Sequence, residues 1–209
     1  MGREDWYRNV AWDAEIEAAF VAKLRRARDK SQYLRIQACV LARREPEVAL
    51  RLLDQYFALG DHFDHAQAYL DRATAHLAVG DIEAAMQSFE SALTREQAYP
   101  HLLTQAYLDF PCLIAAQQLT DRYAQALDVL GAGEGRPVFP RDRYLWNSAR
   151  ALIFYDLGKV SEARTHAQSA LAAASETQSG FRYHRQIGLV QTTADEFGDR
   201  LNAIAGQLN

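Results

Sequence analysis

The strongest constraint on this chain is a recurring register of small residues behind a turn. Gly80-Asp81 is followed by Ala85, Phe89 and Ala92, and the same order returns at Gly158-Lys159 with Ala163, Ala167 and Ala170. The two turns stand 78 residues apart, room for one further unit, and Asp121 with Ala126 and Leu130 fills that gap. Small side chains at these spacings let a second helix lie close. A hairpin that buries only one face needs a neighbour to cover the other. The register therefore predicts an all-α chain of stacked helical hairpins, whose work is to hold something in a groove.

Composition agrees with an ordinary folded chain. Apolar residues make up 49% and charged residues 24%, so disorder is not expected. The length of 209 residues predicts a single domain over 1–209, with an opening helix in 1–30, repeats over 31–175 and a closing cap over 176–209. The formal net charge is −4, and without an overall basic stripe nucleic acid is not an expected partner. Charge is uneven, however. Residues 1–60 carry 11 basic and 9 acidic side chains, whereas residues 61–140 carry 4 and 11. An acidic middle is either an ordinary solvated face or a surface for a basic partner.

Cys39 and Cys112 sit within apolar helical patterns and read as small core residues in a reducing compartment. No apolar run suits a membrane span or a signal core. Gly2 invites a lipidation reading, but Trp6 stands where Ser or Thr is required. The expected location is cytoplasmic, with no membrane partner and no cofactor.

Hydrophobic periodicity places an opening helix near 4–29 on Trp6, Val10, Ile16, Phe20 and Leu24, with Arg25, Arg26, Arg28 and Lys30 toward its C-terminal end. Ser31 is the expected cap of a helix to about Arg44, and Glu45-Pro46 opens its return through Leu59. Asp61 and Asp81 are the expected caps of the next two helices. A helix over 101–119 must kink or break at Pro111, and 121–130 is its partner. The glycine-rich stretch Gly131 to Pro137 reads as a flexible inter-repeat connection, and without a following Lys-Ser/Thr it is not a phosphate loop. Helices over 141–157 and 159–175 form the last pair, and 182–208 would close the array.

The register resembles the tetratricopeptide repeat (TPR). Residues 66–97 carry Tyr69, Ala73, Gly80, Ala85, Phe89 and Ala92 at that family's positions, and residues 144–175 carry Ala151, Phe154, Gly158, Ala163 and Ala170. Weaker copies turn at Glu45, with Ala38, Leu41 and Leu50, and at Asp121. His76 and Gln117 replace preferred aromatics, and Ala167 replaces the aromatic of the second helix. The resemblance implies a right-handed α-solenoid of about four TPR-like hairpins with N- and C-terminal capping helices. Its first helices would line a concave groove.

By that register the groove residues are Gln32, Arg35 and Arg43 from the first unit, and Gln67 and Thr74 from the second. Leu108 and Gln118 come from the Pro111 helix, and Leu145, Ser148, Tyr155 and Asp156 from the last. The lining is mixed, and it lacks the paired Lys and Asn clamp of members that bind chaperone tails. A second patch, Phe181, Arg182, Tyr183 and Arg185, interleaves rings with cations, either as a hot spot or as a linker docked on the last hairpin. His62 and His65 stand three apart near one helix face, too few ligands for a metal site. Tyr107 to Pro111 forms either a functional kink or strained packing. No nucleophile elbow or metalloprotease motif is present.

These features predict a non-catalytic adaptor for a protein or peptide, in a sharper form a cognate inhibitor of immunity type. The alternatives are a sensor of a small molecule or peptide and, last, an enzyme with a dispersed site. The sequence leaves partner identity and oligomeric state open.

Overall fold

A computed structural model describes residues 5–206, so Gly2 and the last three positions lie outside the described residues. Every regular element among them is helical. The chain divides into two compact units, Met1–Ala106 and Tyr107–Asn209.

In the first unit, α1 (Ala14–Arg26) precedes two hairpins, α2 (Lys30–Leu41) with α3 (Pro46–Phe57) and α4 (His65–Ala78) with α5 (Ile82–Ala98). The opening helix is shorter than the sequence predicts, and the reason is a hydrogen-bonded clasp. The wholly buried Gln37 accepts through Oε1 from Asn9 N and Nδ2, both at 2.9 Å, and its Nε2 donates to Asn9 O at 2.8 Å. Asn9 is thereby held off the helical path. Asp13 then caps α1 by accepting from Glu15 N and Ile16 N. Trp6, which the periodicity places on the helix, instead packs among Tyr7, Phe20 and Tyr33 at ring separations of 4.8–5.5 Å. Val10 is left exposed.

Other caps also differ from expectation. Asp29, not Ser31, caps α2, and Ser31 Oγ donates to the Asp29 carboxylate. Helix α4 begins at His65, and Asp61 is turned toward Arg95 and His65 instead of capping it. Asp81 caps α5 as the sequence predicts, accepting from Ala84 N. The unit closes through Glu96, a buried carboxylate that accepts from both Thr104 N and Oγ1.

In the second unit, α6 (Ala106–Ala116) is followed by a 3-10 turn (Thr120–Arg122), α7 (Tyr123–Ala132), α8 (Pro140–Asp156), α9 (Val160–Ala174) and α10 (Gly198–Gly206). Pro111 lies inside α6, which begins five residues later than its apolar pattern does. Cys112 is buried, whereas Cys39 in α2 is exposed and is not the core residue its pattern suggests. The closing segment is irregular up to α10. It is held by Arg141 N donating to Gly188 O at 2.8 Å and by Tyr144 Oη donating to the Asp195 carboxylate at 2.8 and 2.9 Å. Phe197, Leu201 and Ile204 are buried there. A Cβ on Gly188 would lie 2.5 Å from the Phe139 side chain, and one on Gly198 would lie 1.8 Å from Thr193 O.

Three helix ends share one geometry. Asp81 N donates to His76 O, Leu119 N to Ile114 O and Lys159 N to Phe154 O, each closing its helix over a residue with positive φ. That residue is Gly80 (φ 82°) and Gly158 (φ 75°), but at the middle turn it is Gln118 (φ 52°). The middle turn therefore comes at 118, and the 3-10 turn carries the chain to α7. The packing residues Ala126 and Leu130 keep their expected buried positions. A Cβ in the left-handed region costs about 1–2 kcal/mol. Gly158→Ala is expected to lose about 1 kcal/mol in urea unfolding, and Gln118→Gly to gain up to about 1 kcal/mol once its greater chain entropy is counted.

Candidate functional site

The predicted groove residues of the first unit form two different environments. Arg35 is a clamp within the fold: its Nε donates to Asp64 Oδ2 at 2.6 Å and its Nη1 to Asp71 Oδ2 at 3.3 Å. Gln67 Nε2 donates to Asp71 Oδ1, and Tyr56 Oη donates to Asp64 Oδ1. Thr74 Oγ1 donates to Leu70 O of its own helix. Burial works against the Arg35 charge, but Asp71 and Asp64 together hold its pKa above the ordinary value. Burial likewise pushes the Asp71 carboxyl up, against Gln67, Arg35 and Cys39. The guanidinium is the secure ion of this pair, because Asp71 is only 4% exposed. Sequence spacing could not reveal that Arg35, Asp64 and Asp71, from α2, the α3–α4 connection and α4, spend their charges on one another.

Gln32 and Arg43, by contrast, are exposed. Gln32 lines an open depression of about 770 Å³, walled by Ala27 to Gln32 on one side and by Leu59 and His62 to Asp64 on the other. Two apolar side chains stand at it in water, Leu59 at 46% and Phe63 at 75% exposure. Arg28 and Lys30 contribute positive charge from the α1–α2 junction. The basic run suits the dipole at the end of α1, and Leu59 and Phe63 flank a turn that has no helical period, so sequence spacing does not mark them as one surface.

His62 and His65 pack beside this wall against Tyr56, at ring separations of 5.5 and 5.3 Å. Asp61 accepts from Arg95 at 2.6 Å and lies 3.2 Å from His65 Nδ1. Among the described residues no group of three or more His, Cys, Asp or Glu side chains is placed to hold a metal ion.

In the second unit the expected groove residues divide again. Leu108 and Ser148 have no exposed surface, and Ser148 Oγ donates to Tyr144 O, so neither offers a partner anything. Leu145 is half-buried and its carbonyl receives Cys112 Sγ. Asp156 accepts from Tyr123 Oη and from Arg200 at 3.4 Å, and Arg200 also donates to Ala115 O. Asp156 of α8 and Ala115 of α6 are thus tied to the closing segment through Arg200. Gln118 and Tyr155 remain exposed, Gln118 at its turn and Tyr155 at 38%. Of the second patch, Phe181 stacks on Phe139 at 5.1 Å, while Tyr183 is 81% exposed with Arg182 over its ring. Arg185 is exposed, and its carbonyl accepts from Ser179 N.

Comparison with known proteins adds no family to this picture. No family model, curated protein or solved structure matches the chain.

Two outcomes follow from the site's electrostatics. Arg35→Ala strands Asp71 in a buried position and is expected to cost about 3 kcal/mol in chemical unfolding, the scale of losing one partner of a buried pair. Burial also lowers the pKa of His65, His76 and His166 below the ordinary 6.5. Below that value the unfolded chain takes up protons that the folded chain refuses. Stability is therefore full above about pH 6.5 and falls as the pH drops from there toward the lowered folded values. A melting-temperature series from pH 8 to pH 5 is expected to decline in that lower range.

Proposed function

We propose that this protein is a non-catalytic scaffold that binds a segment of a protein or peptide partner. In this reading its hairpins are TPR-like repeats of a right-handed α-solenoid, and the depression beside Gln32 is the docking surface. The observation that carries it is the pair Leu59 and Phe63, large apolar side chains held in water at an open hollow. A ring that is 75% exposed gains burial only by contact with another molecule. Arg28 and Lys30 line the same hollow with Asp29, whose carboxylate caps α2, and Asp64, which is paired with Arg35; the two cations thus favour a partner segment with an apolar anchor next to an acidic residue.

The clamp of Arg35, Asp64 and Asp71 supports this reading by fixing the floor. Asp64 lines the hollow and is joined to both α2 and α3, so the surface is preorganised and its ordering adds little to the cost of binding. The location in the cell is part of the proposal only as a compartment shared with such a partner.

The test is a tagged pull-down from source cells, comparing the wild type with Phe63→Ala combined with Leu59→Ser. The expected result is one stoichiometric protein retained by the wild type and bound about tenfold or more weakly by the double variant at equal helicity, the scale of a hot-spot loss. Equal retention by a well-folded double variant would remove the hollow as the docking surface.

A further inference from the structure

Three rings and one cation gather where α8 meets α9 in the second unit. Trp146, Arg150 and Phe154 follow at four-residue spacing along α8, so they share one side of that helix. His166 of α9 packs edge-on to Trp146 at 5.7 Å and stacks on Phe154 at 5.5 Å. Arg150 lies over the Trp146 indole, its Cζ 4.0 Å from the ring centroid, and the indole is itself fixed by donating from Nε1 to Leu130 O.

Other half-buried arginines of this chain are matched to carboxylates. Arg35 is paired with Asp64 and Asp71, and Arg200 with Asp156. Arg150 is held by an aromatic face instead, and its buried Nε has no hydrogen-bond partner among the described residues. Burial lowers its pKa, and Glu134 opposes that by charge alone. Arg150 is half-buried, and no carboxylate lies within ion-pair distance of it among the described residues, so its remaining N–H groups have no anion of their own. A stacked guanidinium also has its plane set in advance, which lowers the cost of presenting two parallel N–H groups to an oxyanion.

We infer that Arg150 on its Trp146 platform is a binding site for an oxyanion, a phosphate or carboxylate group. The site belongs to the second unit and does not rest on the docking surface proposed above.

His166 is placed to report such binding. Asn147 Nδ2 donates to Arg143 O, which turns Asn147 Oδ1 toward His166 Nδ1 at 2.9 Å. Nδ1 therefore carries the proton of the neutral ring. The charged groups acting on this ring are Arg150 from α8 and Glu162 from α9, and Lys159 Nζ lies 5.5 Å from the centroid of the Phe154 ring on which His166 stacks. Burial lowers its pKa first and Arg150 lowers it further, while Glu162 raises it. An anion seated on Arg150 cancels part of that cation's field, so the His166 pKa rises.

The experiment follows the His166 ring signal of the full chain by NMR across pH, assigned with a His166→Asn variant. Titrations run at constant ionic strength in chloride, in inorganic phosphate and in acetate. The expected result is a saturable upward shift of the His166 titration with phosphate or acetate, lost in Arg150→Gln. The anion that produces it separates a phosphate site from a carboxylate site. Arg150→Lys keeps the charge without the planar fork and is expected to bind more weakly, which preserves the test should the Gln variant misfold. Identical titrations in all three anions, or the same response in wild type and a folded Arg150 variant, would overturn the inference.

Discussion

Helices in this chain meet over alanine. Ala38 and Ala49 in the first hairpin, Ala73 and Ala85 in the second, and Ala151 and Ala163 in the α8–α9 pair have no exposed surface at all. A methyl group is the largest side chain that still allows close backbone approach, so any larger residue at these positions would push the paired helices apart. The aromatics then fill what the alanines leave. Tyr56, Phe89 and Tyr144 are each sealed to 2% exposure or less and supply the buried apolar area that a small-residue seam cannot. Each hairpin depends on this division between close approach and filled volume.

That division was legible in the sequence because it is periodic. Ala85, Phe89 and Ala92, and Ala163, Ala167 and Ala170, are buried as their spacing requires. The errors fall where a nonlocal polar contact overrides a local pattern. Gln37 reaches 28 residues back to Asn9 and ends the opening helix early. Asp61 and Asp64 look like helix caps by position, yet their carboxylates are drawn to Arg95 and Arg35. The middle turn falls at 118 and not at 121 because Gln118 adopts a backbone conformation that glycine ordinarily marks.

The surface was less legible than the core, for a related reason. Assigning a face by register treats each polar residue as available to a partner. Arg35, Gln67 and Asp156 have the polarity expected of a groove, but each is committed to the chain itself. What remains in water at the first unit's hollow is the turn between α3 and α4, where no helical period selects Leu59 or Phe63. Arg150 is equally silent in the sequence, since its distinction lies in which neighbour it meets and not in its type or spacing.

The closing segment has a consequence for how this chain tolerates change over time. Irregular stretches ordinarily drift in sequence because their side chains meet little. Here Gly188 lies under the Phe139 ring and Gly198 against the Thr193 carbonyl, and neither has room for a single added carbon. Exposed faces of the regular helices can accept most residues. Inheritance should therefore be strictest in the part of the molecule that looks least ordered, and an unchanged glycine pair there would mark descendants of this fold better than its helices do.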